Sequence, residues 1–546
     1  MNNYQKELSR LLENFSTMSH EFAKNNPNLL PAIYSKEKSC NDPETDRLDE
    51  CLAFMMAQSN VRFLENSSVM AMNDLSKFLP EWFEPAVSSI ILKAKITDWN
   101  NWRHRHYPEE TLFAHYLKNK NNQELSFSND LPVKLVPLDI TESYFTYIND
   151  QYCAVLKLKS YEKINKLEKV KIFIDYSKFS NFYRFLDEIF FTKQKIEVIK
   201  KNKSYFTNVN RENIAYSFLD LFDLSIYSES NFTYYLYQFV NYLNNYTFIN
   251  FDFSMFPFEM ENEEEIKIII PLSEYIKDSS QVNNYAYTNC FASKNKNVQR
   301  GDPIYLIKGT KPYLTLDRAS KKNFIGIKKI QFFDLEHKDL NLELNKDYRI
   351  YKKFIMDDKS LDIIYYLKIC KVIDRDIIIL PYFNYSDLTN AHVVQVKSNL
   401  VLKRNHKYLF ENLTVPSRTT FYIENFKDNY FYSNIFLMNS KIIEENLSIK
   451  NIFNTLQYFS EMSLSYKGII TKIISQLNLI SEINDKKQVH NAHGAFHQKR
   501  YHVVFELNKK NYQFGGVSIL IKFIETLLNK ASKLNSVYKI ELKETK

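Results

Sequence analysis

The sequence predicts an α+β protein with a helical N-terminal segment, β-rich middle domains and a C-terminal strand-helix-strand unit. Three observations predict it. Apolar residues recur at three- and four-residue spacing near the start. Short β-like runs bounded by polar residues fill the middle. Near the end, a glycine pair separates a β run from an amphipathic helix. The chain has 546 residues, more than one compact core usually holds. The reading divides it into a helical assembly region (1–110), β-rich domains (111–285 and 286–410) and an α+β domain (411–546).

The first helix follows from one stripe: Tyr4, Leu8, Leu11, Leu12, Phe15, Met18 and Phe22. Asn25-Asn26-Pro27 ends it. Asp42-Pro43 predicts the next start, because aspartate caps orphan amides and proline suits the first helical position. Leu48, Cys51, Leu52, Met55 and Met56 form that helix's stripe. A third helix is expected over Val69–Leu79, stopped by Pro80. Strands are expected at Ser89–Ile96, Val133–Leu138 and Val170–Ile174, with loops at Lys118–Gln123 and Asp278–Asn284. Tyr501–Leu507 reads as a strand and Asn508–Asn511 as a turn. Gly515-Gly516 leads into a helix carrying Val517, Leu520, Ile524, Leu527, Leu528 and Ala531, and Val537, Ile540 and Leu542 mark a last strand.

Composition narrows the class. Apolar residues make up 45% and aromatics 15%, with only 7 glycines, which favours a folded chain over a disordered one. Net charge is +8, but lysines sit beside acids in most segments, as in Glu261–Lys267. No dense basic stripe with a recognition motif appears, so no nucleic acid is expected as a partner. Five cysteines without a C-x-x-C pair point to a reducing compartment. The N-terminus lacks the apolar stretch of a secretory signal. Lys522 and Glu525 break the apolar run Val517–Leu528, and no run reaches the ~18–20 residues that span a bilayer.

Several common catalytic motifs are missing from the sequence. Its glycines make no G-x-G-x-x-G, G-x-x-x-x-G-K-[ST] or G-x-S-x-G. His490, His493, His497 and His502 lie close enough in sequence to suggest zinc. No cysteine or interleaved carboxylate completes the set before Glu506, so a polar loop leading into the Tyr501 strand is the competing reading. Trp102–His106 reads as an exposed turn, and Asp46 with Glu50 as a solvated or inter-subunit helix face. No cofactor is expected.

The ends of the chain carry a resemblance. Tyr4-Gln5-Lys6-Glu7-Leu8 and Phe22-Ala23-Lys24-Asn25-Asn26-Pro27 are similar to the aromatic-x-x-E-L and F-A-x-x-x-P opening of the TssF family. The run from Asp42-Pro43 to Ala53-Phe54-Met55 resembles that family's D-P-x-V-E-R-L-L-E-G-F-A-F-L, with Asp49 in place of leucine and Cys51 in place of glycine. Leu79–Pro85, Arg300–Ile304 with Asp317-Arg318, and Phe514–Val517 with Leu534–Ser536 resemble later family segments.

The resemblance implies a cytoplasmic wedge protein of a type VI secretion baseplate, docked at the inner-membrane complex and touching the membrane only indirectly. It implies two copies with one TssG, a unit that joins TssE and TssK and surrounds the spike hub beneath the sheath proteins. It implies no catalysis. On this basis the N-terminal helices become a candidate partner interface: Tyr4, Leu8, Leu11, Phe15, Phe22, Arg47, Leu48 and Leu52. The alternatives are a metal-dependent hydrolase using the His490–His502 segment and a generic cytoplasmic adaptor.

Overall fold

The computed structural model describes residues 3–25, 47, 50–60, 84–96, 114–118, 124–129, 133, 135–164, 169–191, 195–201, 203–208, 214–218, 232–253, 259–272, 282–308, 313–316, 324–344, 346–357, 360–371, 375–386, 399–401, 408–420, 449–463, 466–491, 494–507, 512–531 and 536–544. The expected helix Val69–Leu79, the Asp42-Pro43 start and the turn Asn508–Asn511 lie outside these residues. The fold is α+β.

Helix α1 (Asn3–Asn25) and helix α2 (residues 50–60) come first. A six-stranded sheet has the order β2 (Ala114–Lys118), β3 (Glu124–Ser128), β13 (Cys290–Lys294), β1 (Ser89–Ile96), β22 (Tyr408–Asn412), β21 (Asn399–Val401). A five-stranded sheet runs β4 (Leu138–Ile148), β5 (Gln151–Ser160), β11 (Glu265–Pro271), β7 (Lys195–Lys200), β8 (Lys203–Asn208). A four-stranded sheet runs β12 (Ala286–Tyr287), β6 (Lys169–Ile174), β10 (Ile249–Asp252), β9 (Ile214–Tyr216). In the next sheet, β20 (Ile377–Tyr385) pairs with β14 (Asn297–Arg300), β15 (Ile304–Leu306) and β17 (Phe324–Asp334). Strands β16 (Tyr313–Leu316), β19 (Ser360–Ile369) and β18 (Tyr348–Asp357) form a three-stranded sheet. The last sheet is β23 (Leu477–Asn491), β24 (Gly494–Leu507), β25 (Ser536–Glu544).

One hydrophobic core joins distant parts of the chain. It runs from Ala86, just before β1, to Ile540 on β25. Helices α3 (Phe182–Phe191), α4 (Phe232–Asn241), α5 (Ile449–Met462), α6 (Ile469–Ile474) and α7 (Val517–Ala531) supply much of it. Phe239 of α4 stacks on Phe523 of α7 at 4.0 Å between centroids. Aromatic pairs of this kind add about 0.5–1.5 kcal/mol beyond the area they bury.

A buried carboxylate fixes α7. Asp187 on α3 accepts hydrogen bonds from the Val517 N–H (3.1 Å), the Ser518 N–H (2.8 Å), the Ser518 hydroxyl (2.6 Å) and the Tyr512 hydroxyl (3.0 Å). It thereby satisfies orphan amides at the start of α7, the task of an N-cap residue, from a different helix. Burial pushes its pKa up, while the four donors pull the other way. Gly515 precedes this helix at φ +80°, and a Cβ there would lie 2.3 Å from the Arg184 backbone nitrogen. Only glycine meets both demands. The Gln476 side chain brackets Gly515, accepting from its N–H and donating to its carbonyl, each at 2.9 Å.

The closing unit matches its expectation. Strands β24 and β25 are parallel with α7 between them in sequence, and Val517, Leu520, Ile524, Leu527 and Leu528 are all buried. The outer edge of β25 is covered by α7. Asn529 accepts from the Tyr538 N–H at 2.8 Å and donates to its carbonyl at 3.0 Å, while Glu525 accepts from the Ile540 N–H at 3.4 Å. Such cover keeps a sheet edge from pairing with another chain.

Two expectations need correction. Of the residues expected in the strand Val133–Leu138, 133 and 135–137 are not in a strand, and β4 begins at Leu138. Pro137 has no N–H to give a ladder, and Val136 bonds instead through both backbone groups to the Asn289 side chain, at 2.8 and 3.0 Å. Residues 490–491 and 494–502 are not a polar loop, because they lie on the paired strands β23 and β24. By contrast, β1 and β6 fall where Ser89–Ile96 and Val170–Ile174 were expected.

Candidate partner interface

The N-terminal helices form a small core of their own. Leu11, Ala53 and Ala57 are buried together, with Tyr4, Leu8, Leu12 and Phe15 packed against them. Two alanines one turn apart let α1 approach α2 closely, and the bulky stripe of α1 fills the space they leave. Tyr4 meets Phe54 edge-on at 5.6 Å. Glu7 Oε1 accepts from Arg10 of the same helix at 2.6 Å and from Asn60 of α2 at 3.1 Å, and the second bond ties the helices together. Those hydrogen bonds, the Arg10 one foremost, hold the Glu7 carboxyl below its ordinary range.

The other side of α2 is left apolar and open. Leu52 is 44% exposed, Met55 65% and Met56 42%. At 100° per residue these positions lie away from Ala53 and Ala57. Scattered apolar residues on a surface need no explanation, but a contiguous helical face does. Methionines suit a contact that must adapt its shape.

The expected site residues therefore divide. Tyr4, Leu8, Leu11 and Phe15 of α1 turn toward α2. Leu52 and Arg47 are exposed. The side chains of Leu48 and Phe22 lie outside the described residues, although Phe22 is within α1. Sequence reasoning missed Ala53 and Ala57, the seat of α1. Their four-residue spacing was the available signal.

Other concave or reactive places differ in kind. A groove of ≈ 470 Å³ is lined by Tyr176, Phe179, Tyr183, Tyr466 and Phe514, with Arg418 at its wall. Aromatic and polar side chains share its lining. His502 Nε2 lies 3.0 Å from Glu541 on β25. His497 lies five residues from His502 along β24, about 17 Å at ~3.3 Å per residue, which separates the two. The side chains of His490 and His497, and all of His493, lie outside the described residues. Among the described residues no three His, Cys, Asp or Glu side chains are grouped to hold a metal. No helix there is long and apolar enough to cross a membrane.

The family described as "Type VI secretion system, TssF" matches residues 1–313. Among solved structures, the chain is similar to one in the type VI secretion system TssK-TssF-TssG baseplate subcomplex determined by cryo-electron microscopy. That match has a TM-score of 0.65 at 10% identity and covers 91% of this chain and 96% of the other. A second similar chain comes from the baseplate complex of the type VI secretion system, with a TM-score of 0.44, 11% identity, and coverage of 99% and 96%. No curated protein matches.

Proposed function

The chain belongs to the TssF family of the type VI secretion system, matched over residues 1–313, and from that premise we propose that it is a structural wedge component of the baseplate. The observation that carries the reading is the open apolar face of α2, Leu52, Met55 and Met56, on a helix pair with its own small core. A helix face of this kind is stabilised by partner helices that bury it. The partners proposed for it are TssG and a second copy of this chain. TssK is proposed to bind elsewhere on the molecule, in keeping with the TssK-TssF-TssG subcomplex to which the fold is similar. TssE, the spike hub and sheath proteins, and a place at the cytoplasmic side of the inner-membrane complex, complete the proposal. The role is one of assembly rather than catalysis.

The test replaces Leu52, Met55 and Met56 with Gln together. Each apolar side chain contributes about 1.5–3 kcal/mol when fully buried. Co-purification with TssG should fall at least tenfold, while circular dichroism stays that of the parent. A folded triple variant that still binds TssG at the parent level would sink the proposal.

A further inference from the structure

The sheet built on β20 has two unlike faces. Side chains alternate along β20, so Ile377 and Ile379 point one way and Ile378, Leu380 and Tyr382 the other. Ile377 and Ile379 join Ile330 and Phe332 of β17 in a small core with β18 and β19. On the opposite face, the register sets Tyr305 of β15 and Phe333 of β17 on either side of Ile378. Tyr305 is 66% exposed, and Ile307, two residues on, is 65% exposed. Of the fifteen large hydrophobic side chains exposed among the described residues, five lie between Val298 and Leu344 in this part of the chain. Single exposed apolar residues are ordinary, whereas an apolar row across three neighbouring strands marks a contact surface.

Further along the same face, Tyr382 stands between two cations. Arg300 of β14 is opposite it on one side and Lys329 of β17 on the other. A bulge between Ile327 and Lys329 sets Lys329, not Lys328, in that place. Lys329 Nζ lies 4.7 Å from the centroid of the Tyr382 ring. Arg300 and Lys329 are both exposed, and among the described residues neither forms an ion pair. The carboxylate of Glu84 lies beside Gly326, in the next row, and pairs with neither cation.

We propose that this outer face of the β14–β20–β15–β17 sheet is a docking surface for a segment of a partner protein that is both apolar and acidic. An apolar side chain of the segment seats on the row Tyr305, Ile378 and Phe333. A carboxylate of the segment meets Arg300 and Lys329 about 13 Å away, four residues along β20 at ~3.3 Å each. Charge complementarity selects this occupant, because the two cations have no carboxylate of this chain between them. Nucleic acid is disfavoured, since Lys329 already lies over the Tyr382 ring on which a base would stack. The inference goes beyond the baseplate reading and does not use the N-terminal helices.

A photo-reactive phenylalanine in place of Tyr305 of the full chain tests it in the secreting host. Irradiation should join this position to a protein segment with Asp or Glu about four residues from the crosslink if extended, or about nine if helical. Arg300→Glu with Lys329→Glu should lower the yield about tenfold, and changing the segment's acids to Lys should restore it. Arg300→Gln with Lys329→Gln removes the charges alone. It should lower the yield several-fold while the purified chain melts at the parent temperature. An unchanged yield in both pairs overturns the proposal, and so does a yield that falls only together with the melting temperature. The absence of any crosslink overturns it, as do crosslinks to nucleic acid, to lipid, to a second copy of this chain or to a segment without acids. TssG co-purification should be unchanged in both pairs, which keeps this failure distinct from failure of the baseplate reading.

Discussion

Asp187 shows how much one side chain can hold. Its two oxygens take two backbone amides and two hydroxyls, and its own exposure is 0%. Asp187→Asn keeps the shape but turns one acceptor into a donor. The Val517 and Ser518 amides then compete for one oxygen. Each buried donor left unpaired costs about 1–3 kcal/mol. Urea unfolding of Asp187→Asn should show a loss of that size, and Asp187→Leu a larger one. Parent-level stability in both variants would mean that the cap contributes nothing. None of this was legible in the sequence, because residues 187 and 517 meet only through the fold. Leu527 is the opposite case: its helical spacing predicted a packed position, and it is 1% exposed.

At the scale of elements, what was legible followed the strength of the local period. Helices α1 and α7 and strands β1 and β6 carry clean patterns, and they stand where those patterns put them. Helices α3 and α4 were not read. Their sequences, Phe-Tyr-Arg-Phe-Leu-Asp-Glu-Ile-Phe-Phe and Phe-Thr-Tyr-Tyr-Leu-Tyr-Gln-Phe-Val-Asn, are rich in aromatics that read equally as strand, and packing decides such cases. Helix α5 did carry a signal, with Ile449, Ile452, Leu456 and Phe459 all buried at helical spacing. In the candidate interface, bulky residues drew attention to the open face of α2 and away from Ala53 and Ala57. The alanines lead to a prediction about the helix pair. Ala53→Leu with Ala57→Leu overpacks the contact with α1, at a cost of about 1–3 kcal/mol. Helical circular dichroism should melt at lower temperature than in the parent, in a transition separate from that of the body. An unchanged melt would mean that α1 and α2 do not rely on this close approach.

For the whole molecule, the division between two cores sets the last prediction. The N-terminal pair packs around Leu11, Ala53 and Ala57, whereas the body is built on the core from Ala86 to Ile540. The two share no residue. Deleting residues 2–60 should therefore remove the first core and spare the second. Deleting 2–40 alone is a poorer experiment, because it strips α1 from Ala53 and Ala57 and leaves their face bare. The 2–60 deletion should remain soluble, keep the strand signal in circular dichroism, and unfold in urea with a single transition near that of the parent. It should lose co-purification with TssG, and secretion should stop. Leu527→Asp is the converse. It places a charge among Leu520, Phe523 and Ile524, where an unpaired carboxylate costs several kcal/mol or is forced to take up a proton. That variant should fail to accumulate as soluble protein although its N-terminal helices are intact. If the 2–60 deletion unfolds as Leu527→Asp does, the helices belong to the body's stability. If it folds and still binds TssG at the parent level, the interface lies elsewhere on the chain.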